Sequence, residues 1–99
     1  MEFDIAKNIK LIEMLKAQML AAIAELYNSL ACNESDIKKQ GDILADLIII
    51  TYMLGEKIGV SFNSVDLKAI KKLKIGTLNE EEALYKDAVK LLKYMYRNN

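Results

Sequence analysis

The sequence predicts an all-α protein, an antiparallel bundle of four to five helices that dimerisation completes. The 99 residues contain no proline, so the strongest helix breaker is absent from the whole chain. Apolar residues recur at steps of three and four, which places them on one face of a helix. The hydrophobic fraction of 53% is high for a chain this short. We therefore expect part of the apolar surface to face a second copy.

The first predicted helix runs from Asp4 to Ala31, because this range contains neither proline nor glycine. Its apolar stripe fits one long helix or two helices joined by a bend, and we expect a long helix with a break near Lys16. The stripe consists of Ile5, Ile9, Ile12, Leu15, Met19, Ile23, Leu26 and Leu30.

The second predicted helix starts at the capping side chains of Asn33–Asp36 and continues to about Lys57. Gly59 is available for a left-handed residue beyond its end. The β-branched stretch Leu47–Tyr52 resembles a buried strand by propensity alone. No second strand-like run exists to pair with it, so we predict a helix that is buried on all sides.

Two shorter helices are predicted in the rest of the chain. Ser61–Ser64 is expected to be a polar connection, and Val65–Lys74 a short helix that Gly76 closes. Asn79 is expected to cap the last helix, whose charges match the helix dipole at both ends. With no repeat or linker, residues 1–99 are predicted to form a single helical domain. The dipole-matching residues are Glu80, Glu81 and Glu82 at the start and Lys86, Lys90, Lys93 and Arg97 toward the end.

The charge balance and the missing residue types exclude several functions. Fourteen basic and 14 acidic residues cancel, so no net positive field favours DNA, RNA or an anionic membrane. A chain with no histidine and one cysteine cannot form a disulfide framework, a Ser-His-Asp triad or a structural zinc site. Its N-terminus opens with acids, and its longest apolar stretch, Leu47–Leu54, is too short to span a membrane. We expect a cytoplasmic protein with Cys32 reduced.

Two isolated carboxylates are the candidates for chemistry. Glu25 and Asp46 lie in apolar helices without a lysine three or four residues away. They are predicted to face each other across packed helices and hold a divalent cation, with Asp42 as a third ligand. In the alternative interpretation both lie at exposed helix edges or accept hydrogen bonds from polar neighbours. The candidate donors are Gln18, Tyr27, Asn28 and Tyr52.

Lysines form a run of positive charge in the third predicted helix, at positions 68, 71, 72 and 74. A phosphate-binding role is one interpretation, but a solvated helix face is favoured because no aromatic residue is interleaved. Cys32 is interpreted as a packed or half-exposed thiol, because no histidine can activate it.

Three segments carry a family resemblance. Asp42–Ile49 followed by Gly55–Ser61 resembles a segment of MazG-like nucleotide pyrophosphohydrolases that reads Glu-Glu-Leu-Ala-Asp, a buried helix, then Leu-Gly-Ile-Asp. Ala21–Leu26 resembles the Glu-Glu-x-x-Glu-Leu block of the same family. Together the similarity covers roughly residues 17 to 62.

The resemblance implies an all-α dimer or tetramer that cleaves nucleoside triphosphates between the α and β phosphates. In the family, Mg²⁺ is bound by a Glu-x-x-Glu pair on one helix and a Glu-x-x-Asp pair on the next. Glu25 and Asp46 match the second member of each pair, whereas Ala22 and Ile43 stand where the first members are expected. A rival register matches Asp42 to the family's aspartate, but it shifts the downstream glycine by one helical turn.

Two functions therefore remain open. The first is a Mg²⁺-dependent nucleoside triphosphate pyrophosphohydrolase, with Mn²⁺ as a substitute, in which Glu25 and Asp46 are catalytic and bind metal. Asp42, Glu56 or a second subunit completes its degenerate metal site. The second is a catalytically inactive helical homodimer, or a higher oligomer, that acts as a binding or regulatory module.

Overall fold

The computed structural model describes residues 2–32, 36–76 and 82–98. Four helices follow one another in these ranges, α1 (Glu2–Ala31), α2 (Ile37–Lys57), α3 (Phe62–Gly76) and α4 (Glu82–Asn98). No strand occurs in the ranges described, so the predicted all-α class is confirmed. The chain divides into two compact units, Met1–Ser61 and Phe62–Asn99. α1 packs on α2 in the first unit, and α3 packs on α4 in the second.

Helix α1 is continuous from Glu2 to Ala31, so the predicted long helix is confirmed and the break considered near Lys16 does not occur. Lys16 is exposed and pairs with Glu13 at 2.9 Å, three positions earlier in the chain. A pair at this spacing supports a helix. Without glycine or proline in this stretch, the backbone has no local reason to bend.

The buried face of α1 is rotated from the predicted stripe. Leu15 and Ala22 are buried, at 6% and 9% exposure. Four members of the predicted stripe, Ile5, Ile9, Ile23 and Leu30, are exposed instead. A stripe that includes every large apolar residue is wider than the contact with one neighbouring helix, so only part of it is covered. The core also contains Ile43 and Ile50, with Met19, Leu26, Leu47 and Leu54 packed against it.

Both predicted ends of α2 agree with the structure. The Asp36 side chain accepts a hydrogen bond from the Lys39 backbone N–H at 3.0 Å, which caps the first turn. Gly59 has a φ of +95°, and the Val60 N–H donates to the Gly55 carbonyl at 2.7 Å. This pattern closes a helix through a left-handed glycine.

The prediction that α2 is buried on all sides is wrong for the single chain. Leu44, Ile48, Ile49 and Met53 are between 47% and 59% exposed. Within the first unit α1 packs on α2, and one neighbouring helix covers only one side of a cylinder. The contact with α1 therefore leaves much of the apolar surface of α2 uncovered.

The second unit begins earlier than predicted. Helix α3 starts at Phe62 and continues through Gly76, so the polar connection predicted at Ser61–Ser64 is wrong. Because proline is absent and Gly76 comes last, nothing within α3 opposes a helix. Ile70 is its buried side chain, at 6% exposure. The predicted Asn79 cap and the acids Glu80 and Glu81 lie outside the described residues.

None of the helices, over the residues described, is long and apolar enough to cross a lipid bilayer.

Candidate functional site

Glu25 and Asp46 line one groove between α1 and α2, with a volume of about 370 Å³. The structure thus brings together the two carboxylates that sequence reasoning singled out. The full lining consists of Leu15, Gln18, Ala21, Ala22, Glu25, Asp46, Ile49, Ile50 and Met53.

Two hydrogen bonds join α1 and α2 at the two ends of the pair and help to fix the register of the helices that carry these carboxylates. Near the turn between the helices, the Gln40 side-chain amide donates to the Ser29 hydroxyl at 3.2 Å. At the opposite end, Asn8 Nδ2 donates to the Lys57 carbonyl at 3.0 Å. Ser29 is 7% exposed, so its pairing with Gln40 satisfies a buried polar group.

Both carboxylates of the groove are exposed to solvent. Their exposure agrees with the alternative interpretation, in which Glu25 and Asp46 lie at exposed helix edges. Hydration removes the free-energy penalty that an unpaired buried carboxylate carries. The two side chains are accessible to a ligand entering from solvent.

Asp42 does not join this pair. It lies on α2 one turn before Asp46 and is exposed, but it is not among the residues that line the groove. The described part of the chain contains no group of three or more acidic, cysteine or histidine side chains placed to hold a metal ion.

The two positions where the resemblance implies further acids lie in the hydrophobic core. Ala22 is 9% exposed and Ile43 is 4% exposed, and both belong to the cluster that holds α1 against α2. Apolar packing therefore occupies the place of the first acid of each pair.

Sequence reasoning missed Gln18 as a groove residue and treated it only as a candidate hydrogen-bond donor. It precedes Glu25 by seven residues, which is two helical turns, so both side chains lie on the same face of α1. This spacing is the feature of the sequence that could have identified Gln18 as a groove residue.

The groove fits one mode of binding Mg²⁺. This cation is commonly held by one or two carboxylates, with the remaining positions filled by water and substrate phosphates. Glu25 and Asp46 supply that number of carboxylates, at an open surface where phosphates and water can enter. The residues present do not form a closed protein cage.

The remaining candidates are plain surface features. Lys68, Lys71 and Lys72 are exposed, as expected of a solvated helix face. Lys74 lies over the ring of Tyr96, with its Nζ 5.1 Å from the ring centroid. Cys32 is exposed and its thiol donates to the Asn28 carbonyl at 3.3 Å.

The chain is thus an all-α protein in which two packed helices present carboxylates to a shared groove. The sequence profile of the MazG-like family matches residues 5–91. The chain therefore belongs to the MazG-like family, and the predicted resemblance is confirmed. No curated protein and no solved structure matches the chain.

Proposed function

We propose that the protein is a divalent-cation-dependent nucleoside triphosphate pyrophosphohydrolase that produces a nucleoside monophosphate and pyrophosphate. The observation that carries the proposal is the groove between α1 and α2, which Glu25 and Asp46 both line. Membership of the MazG-like family supports the reaction class. The proposal places the protein in the cytoplasm, with nucleotides rather than nucleic acids as ligands.

In this proposal Glu25 and Asp46 hold Mg²⁺, or Mn²⁺ in its place, through their carboxylate oxygens. Such a cation neutralises phosphate charge and makes bound water a better nucleophile. Hydrolysis breaks the P–O bond between the α and β phosphates and adds one water molecule across it. Because both carboxylates are exposed, a proton released there reaches bulk solvent directly.

The decisive experiment is a panel of ribo- and deoxynucleoside triphosphates incubated with the full chain. We expect pyrophosphate release with Mg²⁺ or Mn²⁺ and none with excess EDTA. Without the cation, the negatively charged carboxylates repel the triphosphate. Pyrophosphate and nucleoside monophosphate are measured together, and the two products are expected in equal amounts. Pyrophosphate release no faster than background from every nucleotide would refute the proposed activity.

A second candidate is a catalytically inactive helical homodimer that acts as a binding or regulatory module. The observation that favours it is the burial of Ala22 and Ile43, since two of the four family acids have become core. This candidate predicts no heat on calorimetric titration with Mg²⁺ and a nucleoside triphosphate. Heat that disappears in the Glu25→Gln variant would count against it.

Both candidates include a homodimer, and α2 offers a surface for it. Ile37, Leu44 and Ile48 are 79%, 49% and 59% exposed. With Gly41 they recur at steps of four, three and four, the spacing of a helix–helix seam. No charged residue belongs to this stripe, so a second copy meets it without like-charge repulsion.

Light scattering at micromolar concentration tests the homodimer. We expect at least twice the mass of one chain for the unmodified protein, because association removes the apolar stripe from water. Ile48→Lys is expected to shift the mass toward one chain by placing a charge in the contact. Ala24→Lys, at an exposed position of α1 outside this stripe, is the matched control. A single-chain mass for the unmodified protein would refute the homodimer.

A further inference from the structure

We infer that the side-chain amide of Gln18 contacts the nucleobase and sets which base the groove prefers. The inference rests on the proposed function and extends it from the phosphates, which are common to all nucleotides, to the part that distinguishes them.

The groove has polar groups at two separate places. Among the described residues that line it, Glu25 and Asp46 carry charge, and Gln18 is the one uncharged polar side chain. Every other lining side chain is apolar. A ligand with a charged end and a hydrogen-bonding end matches this distribution.

The spacing along α1 separates these places by the length of a nucleotide. Gln18 and Glu25 are seven residues apart, which corresponds to about 10.5 Å along a helix axis. Ala21 lies between them in the lining, and its small side chain leaves the floor of the groove open. A nucleotide with its phosphates at Glu25 and Asp46 extends along this floor toward Gln18.

The surroundings of Gln18 suit the face of a base. Leu15, Ile49 and Met53 line the same groove and provide apolar surface. Small-molecule sites commonly combine such a surface with a few polar groups and measure about 300–1,000 Å³. The groove, at about 370 Å³, falls in this range.

The chemistry of the amide makes the inference specific. A glutamine side chain offers both donors and an acceptor, and it can pair with two adjacent atoms on the edge of a base. A carboxylate at the same position offers acceptors only. Guanine presents two adjacent donors, N1–H and N2–H, so Gln18→Glu is expected to favour guanine nucleotides. Gln18→Leu has no hydrogen-bonding group and is expected to reduce discrimination among the four bases.

The test compares kcat/KM for ATP, CTP, GTP and UTP across the unmodified protein and the variants. In Gln18→Glu we expect the ratio of GTP to ATP to rise by about tenfold, the discrimination typical of one bidentate base contact. In Gln18→Leu the four values should converge. Asn28→Leu replaces an exposed amide of α1 that does not line the groove, and should keep the original order.

A second measurement does not depend on hydrolysis. AMP, CMP, GMP and UMP, which have no bond between α and β phosphates to cleave, are titrated with Mg²⁺ present, because a phosphate is repelled by Glu25 and Asp46 unless a cation lies between them; their dissociation constants are followed by NMR. The variants should show the same change of preference as in the kinetics. Ratios between bases are compared because the added charge of Gln18→Glu weakens all anionic ligands alike. Gln18 is exposed, so its substitution leaves the core intact, which melting curves verify.

The outcomes separate the inference from the proposed function. Hydrolysis by the unmodified protein, with the order of nucleotides unchanged in both Gln18 variants, would overturn the role of Gln18 and leave the activity standing. If the unmodified protein showed no hydrolysis and no monophosphate binding, both the role of Gln18 and the proposed function would be overturned.

Discussion

Replacing either groove carboxylate by its amide is expected to lower kcat/KM for nucleoside triphosphate hydrolysis by at least about 100-fold. Even residues that merely support a metal ligand contribute about 10–100-fold to metal affinity or activity. Glu25→Gln or Asp46→Asn removes one of the two charges that the groove offers. The loss of kcat/KM should therefore reach or exceed the upper end of this range. Pyrophosphate release at saturating Mg²⁺ measures the effect.

The same substitutions should hardly affect stability. Both side chains are exposed, and surface substitutions usually change the free energy of unfolding by less than about 0.5 kcal/mol. Glu13→Gln is the matched control, because Glu13 is an exposed acid of α1 that lies outside the groove. Activity retained in either groove variant would show that the metal is held elsewhere.

Placing an acid at position 43 is expected to destabilise the first unit rather than improve the site. Ile43 is 4% exposed and packs with Leu15, Ala22 and Ile50. An uncompensated charge in such a place lowers the free energy of unfolding by about 3 kcal/mol or more. That loss is a large share of the total for a small domain, about 5–15 kcal/mol. Urea denaturation of Ile43→Glu, followed by circular dichroism, measures it.

Ala45→Glu is the control for this experiment. Ala45 lies two residues further along α2 and is exposed, so the same side chain there should leave the urea midpoint nearly unchanged. Equal midpoints for Ile43→Glu and the unmodified protein would mean that position 43 is not part of the core.

Features that depend on a few neighbouring residues could be predicted from the sequence. The start and end of α2 follow from the side chain of Asp36 and the backbone freedom of Gly59. The exposure of Ile48 and Ile49 could not be predicted, because an apolar run shows that a side chain favours burial and not whether this chain supplies a cover.

The site was predictable in its members but not in its environment. Glu25 and Asp46 stand out in the sequence because their neighbours are apolar. Their exposure depends on the register of α1 against α2, which contacts such as that between Ser29 and Gln40 help to set. Contacts between residues distant in sequence are not visible in local periodicity, and for that reason Gln18 was not recognised as a groove residue.

The burial of Ala22 and Ile43 also decides how the groove could be redesigned. An acid at either position would place an unpaired charge between α1 and α2, whereas Ala21 lines the groove and is exposed, so a charge there stays in contact with water. A stronger cation site would therefore have to be built from the exposed lining of the groove and not from the two core positions.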